Sequence, residues 1–80
     1  MAKFKVKTKR VYQETEKAIV ILTSGYGGEF VPIPKSQISA SKTVKDDLGD
    51  WLYLEVKDWL YDKIKGDLSK ISAGDFIILT

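Results

Sequence analysis

The chain has 80 residues, 44% of them hydrophobic and 30% charged, with a formal net charge of +2 and neither cysteine nor histidine. That length makes a single domain, residues 1–80, which buries only ~60% of its unfolded surface. The missing residue types exclude disulfides, thiolate and imidazole metal sites, cysteine nucleophiles, and any scheme with a histidine base.

The modest net charge hides an asymmetry. Lys3, Lys5, Lys7, Lys9 and Arg10 come first with no acid among them, whereas Asp46, Asp47, Asp50, Glu55, Asp58 and Asp62 crowd the second half. The dense apolar run Ala18–Leu22 is far short of the ~20 residues of a membrane span. The basic N-terminus has no apolar stretch behind it, so neither a membrane helix nor a signal peptide is expected. Absence of cysteine fits a reducing cytoplasm.

Residues 3–12 alternate, with Phe4, Val6, Thr8 and Tyr12 on one face and Lys3, Lys5, Lys7 and Lys9 on the other. Period two predicts a strand with one buried and one solvated face. The lysines serve one of two purposes. Either they solubilise an edge strand and block edge-to-edge aggregation, or they form a row of cations ~6.5–7 Å apart, close to the phosphate spacing of a nucleic-acid strand.

A polar turn at residues 13–16 leads into a strand over residues 17–23, whose continuous apolarity predicts a central position or a dimer contact. Residues 24–28 hold Gly25, Gly27 and Gly28 and close a hairpin. They lack the Lys-Ser/Thr and helix that a phosphate-cradling loop requires. The partner strand, residues 29–33, is bounded by prolines, and Pro32 argues for a sheet edge.

Residues 39–50, SASKTVKDDLGD, read as a mobile loop with only Val44 and Leu48 as anchors. Residues 51–56 alternate again, with Leu52, Leu54 and Val56 on one face and Trp51, Tyr53 and Glu55 on the other. Trp51 and Tyr53 on a nominally outward face are either covered by a helix or second subunit, or form a stacking platform for bases. Val56, Trp59, Leu60, Lys63 and Ile64 follow a helical period, predicting a helix over residues 57–65 that buries Trp59, Leu60 and Ile64 and stops at Gly66. A turn at residues 72–75 precedes a last strand, residues 76–79.

The acids supply little fixed chemistry. Asp46, Asp47 and Asp50 sit in the expected loop, and their spacing alone is a weak signal for an oxygen-ligated cation. Ser36 beside Lys35 has no histidine to activate it. No metal, no cofactor and no catalytic residue is expected, and nothing compels an enzyme.

ETEKAIVI, the glycine-rich gap, IPKSQI and VKDWL together carry a resemblance. They resemble a family of very short proteins of bacteriophages and mobile elements that run E-T-x-K-A, then W/V-I-P-K-S-Q-I, then V-P-x-W-L. The matching residues are Glu14, Thr15, Lys17, Ala18, Ile33, Pro34, Lys35, Ser36, Gln37, Ile38, Val56, Trp59 and Leu60. Residues 39–50 are longer than that pattern, and residues 67–80 extend it. The order of antiparallel strands followed by a helix is similar, in topology alone, to the coactivator/Whirly type of single-strand DNA-binding fold, whose members pair as dimers.

The resulting expectation is an α+β domain: a curved antiparallel sheet of about five strands with one helix near the C-terminus, forming a homodimer. The expected function is that of a phage-encoded accessory protein in the bacterial cytoplasm that binds single-stranded nucleic acid. Lys3, Lys5, Lys7, Lys9, Arg10 and Lys35 would contact phosphates, and Tyr26, Trp51 or Tyr53 would stack. The alternatives are an inhibitor of a host defence system, anti-CRISPR-like, that binds a host protein through the acidic half, and a small metal-dependent nuclease or nickase.

Overall fold

A computed structural model of the chain describes residues 1–23 and 29–79. The expected hairpin glycines Gly25, Gly27 and Gly28 and the candidate Tyr26 lie outside the described residues. The described elements are β1 (Ala2–Lys7), β2 (Val11–Glu14), β3 (Ala18–Leu22), β4 (Phe30–Pro34), β5 (Ile38–Asp46), β6 (Gly49–Val56), α1 (Asp58–Leu68) and β7 (Phe76–Ile78). Over the described residues the fold is α+β and antiparallel with one α-helix. Its strands divide between a four-stranded sheet, in the order β5-β6-β1-β7, and a three-stranded sheet, β2-β3-β4, rather than forming one sheet of about five.

β1 has the expected alternation. Phe4 and Val6 are fully buried, while Lys3, Lys5 and Lys7 share the opposite face. The strand ends at Lys7, however, and a 3-10 turn over Thr8–Arg10 carries the chain into the other sheet. That turn shifts the phase of the pattern. Val11 packs against the core, whereas Tyr12 is 62% exposed and rests against Phe30, with ring centroids 4.5 Å apart. The single strand expected over residues 3–12 is thus two strands in two sheets.

β3 is central in its sheet, flanked by β2 and β4. Its burial alternates, with Ile19 and Ile21 buried and Ala18, Val20 and Leu22 only partly covered, so its apolarity does not mean burial on both faces. Thr15 organises the turn before it, its Oγ1 accepting hydrogen bonds from the N–H groups of Lys17 (3.2 Å) and Ala18 (3.1 Å). β4 occupies the edge, as its prolines require: Pro32 and Pro34 are exposed, and Val31 and Ile33 point inward. A second 3-10 turn, Lys35–Gln37, then crosses back to the four-stranded sheet.

The segment expected as a mobile loop is instead the longest strand. β5 pairs with β6 from Ile38↔Val56 to Asp46↔Gly49, with an irregularity between Ile38 and Ala40. Its serines, lysines and threonine carry no apolar signal because most of its side chains are exposed at a sheet edge, and backbone pairing holds it. Asp46 closes the hairpin by accepting the Leu48 N–H at 2.8 Å, and Gly49 takes φ +125°, a conformation that favours glycine. Leu48 is 69% exposed and anchors nothing.

α1 also departs from expectation. It continues through Gly66 to Leu68, and Ser69 follows it, donating its hydroxyl to the Gly66 carbonyl at 2.7 Å. Leu60, Ile64 and Leu68 form the buried stripe at i, i+4 and i+8. Extending the stripe to Leu68 leaves Trp59 beside it, 55% exposed rather than buried. The helix packs its stripe onto Phe4, Val6, Leu54 and Val56 of one sheet and Ile19, Ile21, Val31 and Ile33 of the other, in a single apolar core. β7 then lies antiparallel to β1, with Phe4↔Ile78 and Val6↔Phe76, so the chain after the helix completes the sheet.

Candidate nucleic-acid interface

The face of the four-stranded sheet opposite the core gathers residues far apart in sequence. In the β1–β6 register Lys3 lies across from Glu55, Lys5 from Tyr53 and Lys7 from Trp51. On the other side of β6, Lys42 of β5 pairs with Tyr53 and Val44 with Trp51. Period-two alternation in three adjacent strands therefore places lysines on either side of a central aromatic pair.

The contacts are close. The ammonium groups of Lys5 and Lys7 both lie 4.5 Å from the centroid of the Trp51 ring, and that of Lys42 lies 5.1 Å from the Tyr53 ring. Cations so placed are attracted by the ring quadrupole. Trp51 is fully buried yet stands apart from the main apolar core. Its indole N–H donates to Asp46 Oδ1 at 3.0 Å, and Lys5 Nζ lies 3.3 Å from Asp46 Oδ2. The indole hydrogen bond, aided by the Leu48 N–H and the Lys5 charge, holds the Asp46 carboxyl below the usual range despite partial desolvation. Desolvation first, and then the Glu55 carboxylate, push the Tyr53 phenol up, so it stays protonated at neutral pH.

The remaining candidates lie elsewhere. Arg10 Nε is 2.9 Å from Asp75 Oδ2 and Lys9 Nζ is 3.5 Å from Asp75 Oδ1, so both belong to a cluster beyond the end of β1. Lys35 pairs with Glu14 at 2.8 Å in a cleft of about 490 Å³ that Lys42 also lines, together with Ile19, Ser41, Thr43 and Leu52. Of the lysines expected to share one face, the sheet thus brings together Lys3, Lys5 and Lys7 and adds Lys42. Lys42 was missed because its segment read as a loop. No apolar alternation marks residues 39–46, so only the pairing with β6 reveals where Lys42 sits.

The acids are dispersed among cations. Asp58 lies 3.4 Å from the N-terminal amine, Asp62 lies 3.6 Å from Lys65, and Lys70 lies 3.7 Å from Asp67 and 3.2 Å from Glu29. Among the described residues no group of three or more potential ligands is placed to hold a metal ion. No helix among them is long and apolar enough to cross a membrane. Compared with known proteins, the chain matches no family model, no curated protein and no solved structure.

Proposed function

We propose that the chain is a nucleic-acid-binding accessory protein, with single strands as its preferred ligand and the outward face of the four-stranded sheet as its site. One observation carries this reading: three lysine ammoniums from two strands converge within about 5 Å of two aromatic rings on a single face. Lys3, Lys5, Lys7 and Lys42 contact phosphates, and the half-buried Tyr53 stacks on a base. The likeness of ETEKA and IPKSQI to short phage proteins fits an accessory role in a bacterial cytoplasm, and a homodimer doubles the cationic face.

Asp46, Asp58 and Asp62 each lie beside a cation, which interrupts the anionic row that mimicry of nucleic acid by the acidic half would need and favours the binding reading. A mobility-shift assay with single- and double-stranded oligonucleotides at several salt concentrations tests it. Single strands are expected to bind more tightly and duplexes weakly. Absence of binding to either at low salt refutes the proposal.

A further inference from the structure

Trp51 is held from one side and covered from the other. Its strand is paired on both edges, by β1 and by β5, and its indole nitrogen is tied to Asp46 at the end of β5. The ring is therefore fixed by backbone pairing and a charge-assisted hydrogen bond. Its cover includes the flexible side chains of Lys5 and Lys7. The Lys7 ammonium sits in space that only a glycine leaves open, since a Cβ on Gly49 would lie 2.7 Å from it.

We infer that Trp51 is a covered stacking subsite: a polyanion draws the Lys5 and Lys7 ammoniums onto its phosphates, and the uncovered indole then receives an unpaired base. This rests on the nucleic-acid reading above and specifies how that face discriminates. A phosphate offers the Lys7 ammonium a charge-assisted hydrogen bond, stronger than its contact with a neutral ring, whereas for Lys5 it must also replace the 3.3 Å contact with Asp46 Oδ2, so Lys7 is the first part of the cover to leave. Both lysines reach phosphates by rotating about their own side-chain bonds, with no change in the sheet. A single strand supplies phosphates and bases together, so it both removes the cover and replaces it. A duplex supplies phosphates alone, because its bases are stacked within the helix, and leaves the indole facing water. The preference for single strands follows from this difference.

The test uses the full chain carrying Trp59→Phe, which leaves Trp51 as the sole tryptophan; Trp59 is exposed and outside the core. The probes are an oligothymidylate of about 12 nucleotides, within the ~4–16 that single-strand sites span, and linear inorganic polyphosphate. Without ligand, Trp51 emission is expected to be blue-shifted and poorly quenched by acrylamide. Polyphosphate should shift it to the red and raise acrylamide quenching several-fold. Oligothymidylate should quench the emission directly, with the same midpoint as the mobility shift. Oligothymidylate binding with unchanged Trp51 emission would overturn the covered subsite while leaving the nucleic-acid reading intact. Binding of neither polyanion would overturn both. An effect of polyphosphate alone, with no oligothymidylate binding, would reduce the face to a general anion site and overturn both the stacking step and the nucleic-acid reading.

Discussion

Arg10 and Asp75, 65 positions apart, meet through a 2.9 Å ion pair that ties the turn between the two sheets to the segment leading into β7. The Lys7 N–H also donates to the Asp75 carbonyl at 2.8 Å, so backbone and side chain of one residue close the same junction. Burial pushes the Asp75 carboxyl up, but the Arg10 hydrogen bond and the charges of Lys9 and Arg10 outweigh it and hold the group below the usual carboxylate range. Because the folded value is depressed, the linked stability is fully present above the unfolded value of ~3.9 and lost as pH falls through the folded value. Asp75→Asn is expected to lower stability by about 1–3 kcal/mol at pH 7, and the gap from wild type should shrink on acidification below about pH 4. Urea titrations at several pH values check this, and a gap constant with pH would refute the role of the ion pair.

Leu60 and Trp59 are neighbours on α1 with opposite environments, 4% and 55% exposed. Leu60→Ala removes a core side chain and should cost about 2–5 kcal/mol. Trp59→Ala should cost about 1 kcal/mol or less. Denaturation midpoints of the two variants separate the residues, and a larger loss for Trp59→Ala would reverse the assignment of the helix face.

Two glycines should respond in opposite directions. Gly49 has φ +125° and no room beside the Lys7 ammonium, so Gly49→Ala is expected to destabilise by about 1–3 kcal/mol. Gly66 lies inside α1 with nothing within 4 Å of an added Cβ, so Gly66→Ala should stabilise by about 0.5–1 kcal/mol. Thermal melts of the two single variants decide the matter.

If four lysines contact phosphates on a single strand, the log–log dependence of affinity on salt should have a slope of roughly −3, about −0.7 per contact. Replacing Lys3 and Lys42 by Gln should flatten it by about 1.4. Replacing Lys70, which follows α1 and pairs with Glu29 and Asp67, should leave the slope unchanged. Equal effects from both changes would mean that the binding surface is not the sheet face.

Self-association is the last expectation. Tyr12, Phe30 and Trp59 are exposed on and beside the three-stranded sheet, and Trp59, Phe30, Pro32 and Pro34 line a groove of about 370 Å³. Sedimentation at micromolar concentration should give about twice 9.0 kDa. A monomer at that concentration would remove the dimer from the proposal.

Local alternation alone determined the strand character of residues 3–7 and 51–56 and the shared face of Lys3, Lys5 and Lys7, though not the end of β1 before Lys9, because a strand's period of two sorts its side chains whatever lies beyond it. It also determined the helix, and Pro32 placed β4 at an edge, because a missing N–H is a local fact. Tertiary structure decided the rest. The break at Thr8–Arg10 carries no hydrophobic signature, so only the meeting of two sheets reveals that residues 3–12 are two strands. β5 owes its order to pairing with β6, and Trp59 owes its exposure to the extension of the buried stripe to Leu68. The placing of Lys5 and Lys7 over Trp51, and of Lys42 over Tyr53, depends on strand order and register, which join residues that sequence spacing leaves unrelated.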